Sequence, residues 1–401
     1  MKIAIIGGGA CGLLIVSLLQ DKLGNNDSID IIEKEDKVGK KLLLTGNGRG
    51  NISNVNMSSC FYNDEFAAPI INAFTPNDLI NYFDSLGVLT FNDLEGRVYP
   101  RSETASTILN ALRESYINNP KVKELTGINL KTISKNKDKY LVNGNVYDVV
   151  VVSVGSKANS KDYNDYLLKE LSHSSTYVYP ALTPLFVKEN TSSLKGLHAK
   201  VKASLKMKEV YETSGELLFK EDSLSGIVMF ELSSFYARNK IKGIKEKAII
   251  SLDMLKEYSN EEIFNKLINL KELSPFKNAS FLLNGFFPKM IAKYILDRSK
   301  VEYKNKNYGD LNKKDLEKIT NTIKELTFTI NENKIPTNGQ IIVGGICLNE
   351  VDNNTLESKL NKNLYLGGEV LNIDGKCGGY NLHFAFACAK KISTIIEEKL
   401  C

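Results

Sequence analysis

The fold is decided by the opening stretch Lys2-Ile3-Ala4-Ile5-Ile6-Gly7-Gly8-Gly9-Ala10-Cys11-Gly12, which a second apolar run, 13–19, follows. Glycines between two apolar runs predict a buried strand that turns into a helix. In that setting G-x-G-x-x-G is the fingerprint of a dinucleotide pyrophosphate site. We expect Gly7 to allow the tight turn, Gly9 to leave room for the phosphates and Gly12 to let the helix pack on the sheet.

The second part of the fingerprint is Glu33, which ends the apolar run 29–32, roughly twenty residues after Gly12. Its carboxylate can accept hydrogen bonds from ribose hydroxyls, and an acid there argues against NADP, because a 2′-phosphate would be repelled. The alternative is an ordinary glycine turn of an α/β domain. The strand, the helix and the acid together favour the dinucleotide site.

Composition indicates a globular protein of two or three domains, because the chain has 401 residues, of which 42% are hydrophobic. Its 52 basic and 47 acidic residues give a net charge of +5 without a dense basic run, so we predict no nucleic-acid partner. Six cysteines without C-x-x-C or zinc-like spacing predict a reducing, cytoplasmic setting and no metal site. No apolar run is long enough to predict a membrane span.

The order of predicted elements indicates that both ends of the chain form one nucleotide-binding domain. In the first part we predict helices at 76–86, capped by Thr75, and at 103–118, capped by Ser102, then a strand at 122–125, a β-meander at 128–147 and a buried strand at 148–155. The middle is predicted to be strand-rich over 176–238, helical over 244–326 and stranded again over 327–346. A strand at 364–366 and a helix at 379–399 restore the opening pattern.

A second glycine cluster, 367–382, lies between that strand and that helix. The positive end of the helix dipole would face another region of the same ligand. In a flavoprotein this end would point at the N1 and C2 carbonyl edge of the isoalloxazine ring, where negative charge accumulates on reduction. Glu369 and Asp374 are candidates for ribityl or phosphate-side contacts. The alternative is an unrelated surface loop.

These motifs resemble the BaiN-like flavoprotein family, often labelled aminoacetone-oxidase-like FAD-binding enzymes. The resemblance covers nearly the whole chain and rests on the opening glycines and on four further segments, at 39–54, 96–100, 215–226 and 344–382. The segment Thr45-Gly46-Asn47-Gly48-Arg49-Gly50-Asn51-Ile52-Ser53-Asn54 and the end Gly379-Tyr380-Asn381-Leu382 are its specific motifs.

The chain departs from the family pattern at three places. Gly50 stands where the family has a cysteine, so no redox role is carried over to that position. Lys220 and Glu221 replace a Thr-His pair, so no proton-transfer histidine is carried over. The segment after Gly155 is shorter and poorer in glycine than is usual.

The resemblance implies a Rossmann-like, glutathione-reductase-like FAD-binding domain built from residues 1–180 and 344–401. It also implies a β-barrel-like substrate domain, 181–240 with 327–343, and a helical subdomain, 241–326. The FAD-binding residues that it implies are Gly7, Gly9, Ala10, Cys11, Gly12, Glu33, Lys34, Lys41, Leu42, Thr45, Gly46, Gly48, Arg49, Asn51, Val122, Gly155, Gly368, Glu369, Asp374, Gly379, Tyr380, Asn381 and Leu382.

The catalytic residues stay open, since FAD performs the electron chemistry. Arg49 and Asn51 are candidates to orient a substrate, although contacts to cofactor phosphates are the simpler interpretation. Tyr380 is a candidate proton donor or a packing residue. For His383 a hydrogen-bonded structural role is favoured, and Cys377 has no partner in sequence for a disulfide relay.

We therefore predict an FAD-dependent oxidoreductase that transfers a hydride between flavin N5 and a small organic substrate. It is a reductase of an activated C=C bond or an amine or alcohol oxidase. Since only one dinucleotide fingerprint occurs, NADH or NADPH would dock transiently as electron donor. The alternatives are a flavin-dependent RNA methyltransferase and a non-catalytic flavin sensor. The sequence leaves the substrate, the electron partner and the oligomeric state open.

Overall fold

The computed structural model describes residues 1–155, 170–336 and 339–400. The chain divides into two compact units, Met1–Pro180 with Asn338–Cys401 (unit 1) and Ala181–Thr337 (unit 2). The segment after Gly155, which departs from the family pattern, lies outside the described residues.

The strands are β1 Lys2–Ile6, β2 Ser28–Ile32, β3 Ser53–Asn54, β4 Thr90–Asn92, β5 Arg97–Pro100, β6 Val122–Leu125, β7 Ile133–Asn136, β8 Lys139–Val142, β9 Asn145–Tyr147, β10 Val149–Val152, β11 Tyr179–Ala181, β12 Leu185–Phe186, β13 His198–Lys206, β14 Val210–Phe219, β15 Ser223–Ser225, β16 Ile249–Asp253, β17 Leu326–Thr329, β18 Ile341–Val343 and β19 Leu364–Leu366. The α-helices are α1 Ala10–Leu19, α2 Ala68–Ile71, α3 Pro76–Ser85, α4 Ala105–Glu114, α5 Ile227–Ile241, α6 Asn260–Leu273, α7 Lys289–Arg298, α8 Lys313–Lys324 and α9 Tyr380–Leu400. Short 3-10 helices lie at Leu42–Gly48, Ser59–Phe61, Glu65–Ala67, Ser192–Leu194, Ala279–Phe281, Tyr308–Asp310, Leu348–Glu350 and Gly368–Val370.

Unit 1 is built around a five-stranded sheet in the order β19-β10-β1-β2-β6. Neighbouring strands of this sheet are parallel. All four valines of β10 are buried, as a parallel strand covered on both faces requires. Because β10 pairs with both β1 and β19, the two ends of the chain share one sheet, and the predicted Rossmann-like fold is confirmed.

The smaller elements of unit 1 largely follow the sequence. The strands β7, β8 and β9 form the predicted meander, and Thr75 caps α3 through a capping box with Asp78. The helix predicted at 103–118 with Ser102 as its cap is wrong at both ends. The chain turns through Glu103 at φ +51°, and α4 spans only Ala105–Glu114 with Thr104 in the N-cap position.

Unit 2 contains a six-stranded antiparallel sheet in the order β12-β15-β14-β13-β16-β17. A bridge between Val187 and Ile330 joins the two edges, with the Lys188 N–H donating to Thr329 O at 2.9 Å. The sheet therefore closes into the expected barrel-like form. Two sequence predictions fail here: the end of the strand-rich range becomes α5, and the helical range contributes β16, which pairs with β13.

None of the described helices combines the length and the apolar character needed to cross a bilayer.

Candidate functional site

The N-terminal glycine loop has the backbone geometry of a dinucleotide turn. Gly7 adopts φ +106°, and a Cβ there would lie 2.7 Å from Ser153 O. A Cβ on Gly12 would lie 2.2 Å from Gly7 O, so only glycine lets α1 approach the strand this closely. At Gly9, by contrast, no atom of the described chain lies within 4 Å of a Cβ position. The loop thus has packed glycines on either side of an open one.

Glu33 is fixed at the mouth of this loop by two backbone groups. Its Oε2 accepts a hydrogen bond from Gly8 N–H at 2.8 Å, and its Oε1 accepts one from Glu35 N–H at 2.9 Å. Each carboxylate oxygen keeps a further lone pair for a ribose hydroxyl. The neighbouring Lys34 is exposed. Ribose binding by Glu33 stays a prediction that this geometry permits.

The loop that follows Lys41 starts as 3-10 helix and is interrupted at Thr45, Gly46 and Asn47, whose backbone angles are not helical. Thr45 Oγ1 donates to Leu42 O at 2.7 Å, and Gly46, Asn47, Gly48 and Gly50 all have positive φ. A Cβ on Gly50 would lie 2.9 Å from Ala105 Cα. The position at which the related family has a cysteine therefore has no room for one in this backbone.

Arg49, a candidate for substrate orientation, is bound on two sides within unit 1. Its guanidinium donates to Glu103 at 2.8 Å and lies over the ring of Tyr99, 4.4 Å from the centroid. The side chain remains almost half exposed. An anion could reach Arg49 in addition to Glu103, and this role stays a prediction.

The C-terminal glycine cluster is anchored by side chains that are distant in sequence. Asn63 Oδ1 accepts from Asp374 N–H at 2.9 Å, and Tyr62 donates its hydroxyl to Tyr380 O at 2.8 Å. Asn381 is used locally: its Oδ1 accepts from Gly375 N–H at 2.8 Å, and its Nδ2 donates to Gly375 O at 2.9 Å. The Asn381 side chain thus shapes the loop, and its predicted contact to the cofactor stays a prediction.

An ion pair joins the two loops. Lys41 Nζ donates to Glu369 Oε2, and Glu369 Oε1 accepts from Ile342 N–H at 3.0 Å. A Cβ on Gly155 would lie 3.2 Å from Glu369 Oε2, which places Gly155 beside the pair. A Cβ on Gly368, which has φ +78°, would lie 3.4 Å from Cys11 Cβ. The structure therefore brings together predicted site residues from the beginning, the middle and the end of the chain.

Asn51 carries a buried side-chain oxygen that has no hydrogen-bond donor among the described residues. The residue is 8% exposed, and its Oδ1 receives no hydrogen bond from the described residues. This oxygen lies 2.8 Å from the Cβ position of Gly379, directly before α9. The orphaned acceptor, the open space at Gly9 and the glycines before α9 fit FAD, since such groups are paired in native proteins unless a ligand completes them.

His383 is fully buried on the first turn of α9. Its Nε2 donates to Phe74 O at 2.9 Å, so Nδ1, 2.9 Å from Ser53 Oγ, is the acceptor for the Ser53 hydroxyl. Burial lowers the pKa of His383 to about 4. The ring is neutral at physiological pH and has the structural role that the sequence favours.

Val122 and Cys11 are two further predicted positions. Val122 is on the edge strand β6, with its N–H donating to Asn119 O at 3.0 Å. Burial raises the pKa of the Cys11 thiol, so this residue is not a ready nucleophile. Ser53 and Asn54 are not among the predicted site residues, although both lie in the specific motif at 45–54. Asn54 Nδ2 donates to Gly378 O at 3.1 Å, a contact between segments far apart in sequence.

The chain matches a known protein family and known proteins along nearly its whole length. The family described as HI0933-like protein Rossmann domain matches residues 1–394. A 3-dehydro-bile acid delta(4,6)-reductase of Clostridium scindens is 30% identical over 96% of this chain and 96% of that protein. A ribosomal RNA dihydrouridine synthase of Haemophilus influenzae is 24% identical over 97% of this chain and 98% of its own length. The solved 3-ketosteroid delta1-dehydrogenase of Sterolibacterium denitrificans aligns over 99% of both chains with 10% identity and a TM-score of 0.47.

Proposed function

The chain belongs to the HI0933-like Rossmann family and is an FAD-dependent oxidoreductase; we propose that it reduces a carbon–carbon double bond conjugated to a carbonyl group. The observation that carries the proposal is the full-length similarity to a protein named for reducing delta-4,6 double bonds of a 3-dehydro-bile acid. A dihydrouridine synthase likewise adds hydrogen across a C=C bond next to a carbonyl, so two relatives share one chemistry.

FAD, when bound, supplies the carrier for two electrons. In the reduction of a conjugated double bond these two electrons arrive as a hydride at the carbon farther from the carbonyl, and the nearer carbon takes a proton that comes from solvent. We propose NADH or NADPH as the hydride source, with the oxidised nicotinamide as second product. Since the chain has a single dinucleotide fingerprint, this donor would bind transiently.

The cofactor would lie along unit 1. Gly7 to Gly12 would hold the pyrophosphate, Glu33 the ribose, and the loop from Lys41 to Asn51 would lie beneath the flavin. The start of α9 would face the ring and favour its reduced, negatively charged form through the helix dipole. Arg49, Asn51 and Tyr380 stay candidates for substrate contacts, and the burial of Asn51 and Tyr380 favours the cofactor side for these two.

We propose a small, soluble substrate in the cytoplasm. The described cysteines form no disulfide, as a reducing compartment would favour. A uridine in RNA is the second candidate, favoured by the name of the Haemophilus relative. The mild net charge of +5 argues for the small molecule, because RNA-binding surfaces are strongly basic.

The test is a pair of half-reactions under anaerobic conditions. The purified protein should be yellow, and NADH or NADPH should bleach its flavin absorption. A 3-oxo-delta-4 steroid or another conjugated ketone should then restore the colour, whereas a saturated ketone should not. Colour restored by a uridine-containing ribosomal RNA alone would select the second candidate. A protein that primary amines or alcohols bleach, with oxygen as acceptor, would be an oxidase and would contradict the proposal.

A further inference from the structure

Asn51 Oδ1, which accepts no hydrogen bond from the residues that the structure describes, lies beside a close backbone contact. Gly379, at φ +102°, is packed so closely on β3 that a Cβ would lie 2.2 Å from Ser53 O and 2.8 Å from Asn51 Oδ1. Asn51 Oδ1 therefore faces the start of α9. Burying an acceptor without a donor destabilises a protein, so its retention here points to a donor on a ligand.

The start of α9 presents the opposite chemistry. The first N–H groups of an α-helix have no intrahelical partner and are donors at the positive end of the dipole. Because α9 is 21 residues long, this dipole is fully developed. Donors and the Asn51 acceptor therefore lie side by side, which matches a ligand edge that carries a carbonyl oxygen next to an N–H.

We infer that Asn51 Oδ1 accepts a hydrogen bond from the N3–H of the isoalloxazine ring, whose imide edge places this N–H between two carbonyls. No other part of FAD has a carbonyl beside an N–H. The inference rests on FAD binding in unit 1 and is independent of the substrate proposed above.

His383 acts as a positioning residue for this acceptor. Its Nδ1 accepts from Ser53 Oγ, and its Nε2 donates to Phe74 O, each at 2.9 Å. Ser53 lies two residues after Asn51 on the segment that packs against Gly379. The neutral ring thus ties this segment to α9, which carries His383 itself, and fixes where the Asn51 oxygen stands.

The experiment measures FAD affinity and thermal unfolding of full-length variants. Asn51→Leu removes the acceptor, and Asn51→Asp keeps an oxygen acceptor. Ser393→Ala is the matched control, because Ser393 Oγ, on α9, is also a buried oxygen that no described residue pairs. We expect Asn51→Leu to weaken FAD binding about tenfold or more, the scale of one buried hydrogen bond. Its FAD-free form should be at least as stable as that of the wild type. Asn51→Asp should bind FAD more tightly than Asn51→Leu does, and Ser393→Ala should bind FAD as the wild type does.

A cofactor analogue methylated at N3 identifies the donor. It should bind the wild type about tenfold more weakly than FAD does and should bind Asn51→Leu no more weakly than FAD does. The inference is overturned if Asn51→Leu binds FAD normally, if Asn51→Asp loses as much affinity as Asn51→Leu, or if methylation weakens binding equally in both proteins. A wild type that binds no FAD would instead refute the proposed function.

His383→Gln, which retains one donor and one acceptor, should keep most of the FAD affinity, whereas His383→Leu should shift the position of the flavin absorption bands as well as lower the affinity. Unchanged bands in His383→Leu at full FAD occupancy would contradict the positioning role.

Discussion

The two glycine loops of unit 1 serve one site, but they obtain their shapes differently. The N-terminal loop is shaped by its neighbours in sequence and by Ser153, which directly follows β10. A Cβ on Gly12 would lie 2.2 Å from Gly7 O, and one on Gly7 would lie 2.7 Å from Ser153 O. The C-terminal loop is held by Tyr62 and Asn63, more than 300 residues away along the chain. The conformation of a loop with a local motif can be predicted from the sequence. For a loop that distant side chains hold, the sequence predicts the position along the chain but not the conformation.

The largest effect should come from the most tightly packed glycine of the N-terminal loop. Gly12→Ala places a methyl group 2.2 Å from Gly7 O, which we expect to cost more than about 4 kcal/mol of unfolding free energy and to abolish FAD binding. Gly9→Ala is the matched control, because its methyl group meets no described atom within 4 Å. It should cost about 1 kcal/mol or less and yet weaken FAD binding. Denaturant unfolding and FAD titration of both variants test this, and equal stability of the two would refute the packing argument.

The C-terminal loop offers a similar pair with a smaller difference. Gly379→Ala forces a methyl group against Ser53 O at 2.2 Å, whereas a methyl on Gly378 would meet Arg97 only at 3.7 Å; both residues have positive φ. We expect Gly379→Ala to cost about 3 kcal/mol or more and Gly378→Ala about 1–2 kcal/mol, from backbone strain alone. Urea melts would show the order, and a larger loss for Gly378→Ala would contradict it.

Acid should weaken the contact between the C-terminal helix and the Asn51 segment. Burial lowers the pKa of His383 from 6.5 to about 4, so the unfolded chain binds a proton there between these pH values and the folded chain does not. This contribution is present above pH 6.5 and is lost as the pH falls towards 4, by about 3 kcal/mol. His383→Gln should lose correspondingly less stability between pH 7 and pH 4. Parallel losses in both proteins would exclude His383 as the cause.

The smallest effect should be at the ion pair that joins the loops. Lys41→Met removes the partner of Glu369, whose side chain is 19% exposed, and we expect a loss of up to about 1 kcal/mol that salt reduces. Lys40→Met is the control, since Lys40 pairs with the exposed Asp36 and should change stability by less than about 0.5 kcal/mol. Thermal melts at low and high salt would check this, and a salt-independent loss at Lys41 would point to packing instead.

Unit 1 follows its sequence because its signals are local. The valines of β10, the Thr75–Asp78 capping box and the glycine fingerprint each lie within a few residues of the feature that they form. The failure at the start of α4 has a local cause too, because Glu103 adopts φ +51° and Ser102 then stands outside the helix.

In unit 2 local sequence signals do not predict every element. The helix α5 begins after Gly226 without a side-chain cap, and its apolar, aromatic-rich sequence resembles a buried strand. The strand β16 is stabilised by pairing with β13, which lies far away along the chain. In the site, the tautomer of His383 and the unpaired oxygen of Asn51 follow from contacts with Phe74 and Gly379, which no sequence spacing predicts.

The claim that both ends of the chain form one flavin site is tested most directly by the cofactor content of the purified protein. Acid release and chromatography should give about one FAD per chain for the wild type and almost none for either Gly12→Ala or Gly379→Ala. A colourless wild type that takes up no added FAD, or full FAD content in the Gly379→Ala variant, would contradict it.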